Sequence, residues 1–162
     1  MTCRILRSLW RDDEGTALIE GAILLPVLFI LVFGVFEFSW LTFQQHLIST
    51  GIDDAARYLA RSATPNDPTI KLEAKYLATT GAIDGNTPRV RGWTVDNVEI
   101  SYTFINNPIG DNGLASFRGG AVIEGVTVST SFTVPPLGFF GILDLSPPTI
   151  SVSHEERVIG SG

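Results

Sequence analysis

Gly15-Thr16-Ala17-Leu18-Ile19-Glu20-Gly21-Ala22-Ile23-Leu24-Leu25-Pro26 opens an apolar run that continues to Phe36, and between Ala17 and Phe36 the only ionisable side chain is Glu20. About twenty residues of α-helix extend about 30 Å, the hydrocarbon thickness of a bilayer. The run is longer than the roughly 7–15 residue apolar core of a cleaved secretory signal, and no A-x-A-like site follows it directly. A carboxylate inside such a stretch costs roughly 2.5–3.5 kcal/mol on insertion scales. Glu20 is therefore expected to have a partner or a function. Pro26 removes one backbone donor in mid-run and is expected to kink the helix.

The flanks set an expected orientation. Arg4, Arg7 and Arg11 precede the run, and no basic side chain follows it until Arg57. The positive-inside tendency puts the N-terminus in the cytoplasm and the chain after about residue 43 outside. Asp12, Asp13 and Glu14 offset the arginines in net charge but weigh little in that rule. The expected division is a leader peptide at 1–15, a transmembrane helix at 16–43 and an α+β domain outside the membrane at 44–162. The net charge of the 162-residue chain is -6 and its basic residues are scattered, so no basic stripe argues for nucleic acid. The single cysteine, Cys3, excludes an intrachain disulfide and lies before the apolar run, the wrong side for a lipoprotein cysteine.

Beyond the membrane the helix is expected to continue to about Ala63. Ile48, Ile52, Ala55, Ala56, Leu59 and Ala63 recur at helical spacing, with Asp53, Asp54, Arg57 and Arg61 mainly on the other side. Asp53 and Arg57 stand in the favourable order for a pair one turn apart. Thr64-Pro65-Asn66-Asp67-Pro68 breaks the helix. A second helix is predicted from Thr69 to Thr80 with Gly81 as its stop. The period then changes to two. Strands are expected from Trp93 to Ile105, from Ala121 to Val134, and from Ile150 towards Val158, with Pro135-Pro136 ending the second. Tyr102, Phe104 and Phe132 are read as sheet core. The fold class is α+β: a long N-terminal transmembrane helix running into a small domain with a short helix and an antiparallel sheet of about three strands.

No catalytic constellation stands out: there is no G-x-S-x-G, P-loop, H-E-x-x-H or C-x-x-C. The chain is expected not to be an enzyme and to need no cofactor or metal. His154 adjoins Glu155 and Glu156, but adjacent carboxylates on a strand point to opposite faces, so a solvated edge is expected rather than a metal site. His46, Glu37 and Trp40 are placed at the membrane interface, Trp40 as an anchor. The apolar segment Leu137–Leu145 is expected to cover the sheet as core, the alternative being an exposed patch that docks on another subunit or on lipid.

A glycine, four residues and then a glutamate at the edge of a membrane helix is also the pattern of a type IV prepilin cleavage site. Gly15 to Ala60 resembles the TadE-like family of the tight-adherence (Flp) pilus system. The resemblance rests on Gly15-Thr16-Ala17-Leu18-Ile19-Glu20, the apolar run with Pro26, Gly34-Val35-Phe36-Glu37-Phe38, and Asp54-Ala55-Ala56-Arg57-Tyr58-Leu59-Ala60. It implies a pilin-like minor pilin, or pseudopilin, of the bacterial inner membrane with a periplasmic domain. It also implies a prepilin peptidase cutting between Gly15 and Thr16, and Glu20 setting subunit registry by pairing with a neighbour's N-terminal amine. Its partners would be that peptidase, other pilin or pseudopilin subunits, the inner-membrane assembly platform and the lipid bilayer. Two features depart from the usual type IV pilin pattern: Thr16 is not aromatic, and no disulfide loop is possible. The competing expectation is an uncleaved, signal-anchored periplasmic binding module.

Overall fold

The computed structural model describes residues 13–159 apart from 86, 112 and 119. Most of the expected leader, with Cys3 and the three arginines Arg4, Arg7 and Arg11, lies outside the described residues. Helix α1 runs from Asp13 to Arg61, 49 residues, with Pro26 inside it. At 1.5 Å per residue it is about 74 Å long. Its first part is apolar all round: an 18-residue window near the N-terminus is long and apolar enough to cross a membrane, and among the described residues 0% of that window is buried. Ala63 falls beyond the helix end and is exposed, so the expected stripe stops at Leu59 and Ala60. Ser62-Ala63-Thr64-Pro65 already turns the chain, with the Ser62 N–H donating to Leu59 O.

The outer half of α1 carries the domain. Ile48, Ile52, Ala55, Ala56 and Leu59 are fully buried on one stripe. Helix α2, Pro68–Thr80, packs its Ala74 and Ala78 against that stripe. Its start is fixed by the Asp67 carboxylate, which accepts from the Thr69 N–H at 2.8 Å, and by Pro68 in the first turn. Gly81, at φ 83°, ends it with its N–H on Leu77 O.

Three antiparallel strands form a meander in the order β1-β2-β3: β1 Val98–Asn106, β2 Val122–Thr133 and β3 Thr149–Arg157. The register aligns Val98 with Thr130, Ile100 with Val128 and Tyr102 with Val126 on one side of β2, and Val152 with Thr130 and Ile150 with Phe132 on the other. These residues share the face that packs on α1 and α2. The first strand is shorter than expected. Trp93 leaves the strand direction and is fully buried in the core, and a 3₁₀ turn, Val95–Asn97, intervenes before β1. The indole N–H donates to Thr130 Oγ1 at 3.1 Å, and that hydroxyl donates to Asn97 O at 2.7 Å. A large side chain with one buried donor thus meets the one buried hydroxyl on the valine face. Phe104 is exposed, against expectation, because β1 and β2 extend past the helices at that end. Tyr102 stays inward; burial, aided by the nearby Glu124 charge, pushes its phenol up to about 12, and its hydroxyl donates to Pro65 O.

Charged residues on α1 pair across the domain rather than along the helix. Asp53 meets His154 Nδ1 at 3.1 Å, Arg57 meets Glu156 at 3.8 Å, and Asp54 meets Arg89 at 2.7 Å. The expected Asp53–Arg57 pair is therefore replaced by tertiary partners. His154 is half-buried between Asp53 and Glu156, not on a solvated edge, because the β3 register turns 154 and 156 inward with 150 and 152. Glu155 does point outward, as the alternation requires. Exposed pairs of this kind contribute about 0–1 kcal/mol each, so they orient β3 on α1 more than they stabilise it.

At Gly51 the backbones of α1 and α2 approach closely. A Cβ there would overlap the Ala78 carbonyl oxygen and sit 2.9 Å from the Trp93 ring. Gly51→Ala should therefore destabilise the domain by about 1–3 kcal/mol, the usual cost of overpacking, despite the roughly 1 kcal/mol gain in helix propensity. Thermal unfolding of the domain checks this; an unchanged or raised midpoint would contradict the close approach.

Candidate functional site

The sequence-predicted positions lie at the start of α1. Gly15 and Thr16 are within its first turns, and Glu20 stands one turn beyond Thr16 on the same side. Glu20 is exposed, and among the described residues no hydrogen bond or ion pair holds its carboxylate. Leu18, Ile19, Ile23 and Leu24 around it are exposed as well. The site is thus a carboxylate on a bare apolar helix, some 25 Å along the axis from the domain end of the run. Among the described residues no group of His, Cys, Asp and Glu is placed to hold a metal ion.

The second carboxylate of the run behaves oppositely, and sequence reasoning missed it. Glu37 is 1% exposed. One carboxylate oxygen accepts the Leu137 N–H at 2.8 Å and the other accepts the Phe139 N–H at 3.3 Å. Interfacial solvation, the expectation for Glu37, is replaced by a two-pronged clamp on a segment 100 residues away. Gly138 sits between the clamped amides at φ 129°, a region that L side chains rarely adopt, and this turn aims both N–H groups at one carboxylate. Helix α3, Phe139–Ile142, follows immediately. Its Phe139 ring stacks on Phe33 of α1 at 6.0 Å, and the Trp40 N–H reaches Pro135 O at 3.4 Å.

The Leu137–Leu145 segment accordingly does not cover the sheet. It lies along the apolar half of α1, with Leu137, Ile142 and Leu145 at least half exposed. The alternative expectation, an exposed apolar patch, describes it. A signal for the clamp was present in the sequence. The inward stripe of Ile48, Ile52, Ala55 and Leu59 extends backwards at steps of three and four through Gln44 and Leu41 to Glu37. Gln44 and Glu37 are both buried at the inward-facing positions, and Gln44 Oε1 has no hydrogen-bond partner among the described residues. What the stripe does not disclose is which distant backbone amides Glu37 meets.

Comparison with known families bears on α1 directly. Residues 15–57 match the family described as TadE-like protein. Residues 15–57 are TadE-like. This match supports a TadE-like protein of the tight-adherence pilus system. It begins at Gly15, includes Glu20 and Glu37, and stops inside α1, so α2 and the sheet lie outside it. No curated protein and no solved structure matches the chain significantly. The TadE-like segment and the uncovered apolar helix together are consistent with a membrane-anchored protein associated with that pilus, whose other components are the suggested partners.

The clamp predicts a specific loss. In Glu37→Gln one of the two N–H groups faces an amide NH₂ instead of an acceptor, at about 1–3 kcal/mol. Hydrogen exchange at Leu137 and Phe139 should quicken by about tenfold or more, while Val126 and Val128 in β2 keep their protection. Unchanged exchange at 137 and 139 would show that the carboxylate does not hold the segment.

Proposed function

We propose that this protein is a minor pilin, or pseudopilin, in assembly of a tight-adherence pilus, acting structurally rather than as an enzyme. In this reading residues 16–43 cross the bacterial inner membrane, the N-terminus is cytoplasmic and the α+β domain is periplasmic. A prepilin peptidase removes the leader between Gly15 and Thr16, and the product joins other pilin subunits at the inner-membrane assembly platform. The observation that carries the proposal is Glu20: an exposed carboxylate without a partner in its own described chain, at the head of an uncovered apolar helix that matches the TadE-like family.

The physics of the proposed role is simple. A carboxylate in a bilayer becomes tolerable when an opposite charge stands beside it. Cleavage after Gly15 creates such a charge, the amino group of Thr16. Helices packed side by side with an axial offset bring one subunit's Thr16 amine to the next subunit's Glu20. Only one offset aligns the pair, so the charge sets registry while the apolar surface supplies non-specific adhesion. Thr16 and Glu20 of one chain are one helical turn apart, about 5–6 Å along the axis, so the offset between subunits in this arrangement is short.

N-terminal sequencing and intact mass of protein taken from membranes, with and without the prepilin peptidase, test the first step. A start at Thr16 that depends on the peptidase is expected. An intact Met1 start in both samples would leave an uncleaved signal anchor carrying a periplasmic binding module. Gly15→Val should abolish processing, because a branched side chain crowds the scissile bond; normal processing would remove the site. Glu20→Ala should leave cleavage intact and abolish incorporation or pilus formation, scored by shearing and immunoblotting. Wild-type assembly by that variant would remove the registry role.

A further inference from the structure

We infer that the Pro135–Pro148 segment is a second membrane contact, an apolar flap that lies in the outer headgroup–acyl boundary beside α1. The inference rests on α1 crossing the membrane, but not on cleavage, registry or pilus assembly.

Four observations carry it. The first is depth. Phe139 stacks on Phe33, which lies inside the apolar run, and the Pro135 carbonyl accepts from Trp40, one helical turn beyond the end of that run. Phe33 and Trp40 are seven residues apart on the helix, about 10 Å. The flap therefore spans the same level as the outer end of the apolar run, the depth to which interfacial apolar elements insert. If lipid surrounds Phe33 it reaches the flap as well.

The second is continuity of surface. Phe29, Ile30, Phe33 and Phe36 of α1 form one uninterrupted apolar groove with Leu137 and Ile142 of the flap. Ile142 is 78% exposed. The one polar group in that groove is Glu37, and both its oxygens are already taken by the flap's own amides. Apart from Glu37, no side chain lining this groove carries a hydrogen-bonding group or a charge with which a protein partner could fix a register. Acyl chains need neither.

The third is backbone satisfaction, the strictest condition on irregular chain near lipid. The N–H groups of Leu137 and Phe139 go to Glu37. Those of Leu143, Asp144 and Leu145 go to carbonyls of the α3 turn. Pro135, Pro136, Pro147 and Pro148 have no N–H to satisfy.

The fourth is charge. Between Val134 and Ser153 the only ionisable residue is Asp144. Asp144 is exposed, at the return of the flap, where it can reach headgroups and water. The apolar sequence and the buried carboxylate thus have one explanation: Glu37 folds the flap down along α1, and the bilayer covers what the sheet leaves exposed.

Site-directed labelling of the full chain in phosphatidylcholine–phosphatidylglycerol vesicles tests this. In a Cys3→Ser background, Ile142→Cys carries an environment-sensitive fluorophore, with Leu31→Cys and Phe104→Cys as references. All three labelled positions are exposed on the protein, and Leu31 lies outside the groove that holds the flap. The 142 label should be quenched by a headgroup-proximal nitroxide lipid several-fold more than the 104 label, and shielded from aqueous iodide as the 31 label is. Iodide access at 142 with shielding at 31 would overturn the flap and leave the spanning helix standing. Iodide access at both would overturn the membrane reading itself. Shielding of 142 from iodide and nitroxide alike would overturn the lipid contact in favour of a protein neighbour.

Discussion

Helix α1 serves two surroundings with one continuous backbone, and the rest of the molecule is arranged around that constraint. An α-helix satisfies its own amides and carbonyls internally, so the half between Ala17 and Phe36 can be apolar on every side without leaving backbone groups unpaired. The outer half has the opposite requirement. It must bury one stripe, and Ile48, Ile52, Ala55 and Leu59 become the floor on which α2 and the sheet are laid. Because the same helix runs through both halves, the domain is fixed in rotation about the apolar stem, and every contact the domain makes with α1 also sets which face of the stem stays open.

Glu37 marks the junction between those halves. It occupies the first position of the inward stripe, where a hydrophobic residue would fit the pattern, and it is buried there with both oxygens used. Burial of an ionisable side chain is tolerated only where hydrogen bonds replace water, and here two backbone amides do so. The consequence is directional. The chain leaving β2 at Pro135 is drawn down along the stem instead of across the sheet, and the apolar residues that follow face away from the core. Glu20 and Glu37, the two carboxylates of the stem, have opposite surroundings: Glu37 is buried with both oxygens bonded within the chain, and Glu20 is exposed.

The sheet contributes alignment more than reach. Its inward face starts with valines and ends, on β3, with His154 and Glu156 opposite Asp53 and Arg57. Apolar burial holds the centre, while the polar rung at one edge ties β3 to a particular turn of α1. At the far end, β1 and β2 outrun the helices, which is why Phe104 and Val122 are exposed there.

By itself the sequence determined what local physics controls. An apolar run of bilayer length, a 3.6 period, a proline–asparagine break, a capped short helix and three alternating stretches are all local patterns, and α1, α2 and the three strands follow from them. Glu20, too, stands out locally, as the one charge in an apolar run. Tertiary structure decided the rest, since each such feature depends on a partner far away in the chain. Trp93 left its expected strand because Thr130 and the core could take its ring and its N–H. Asp53 chose His154 over Arg57 because the strand register delivered it. Glu37 met Leu137 and Phe139, and the segment beyond them turned outward, because a carboxylate on α1 offered two acceptors where the chain left the sheet. Periodicity fixes which face a residue occupies; only the assembled fold determines what stands opposite it.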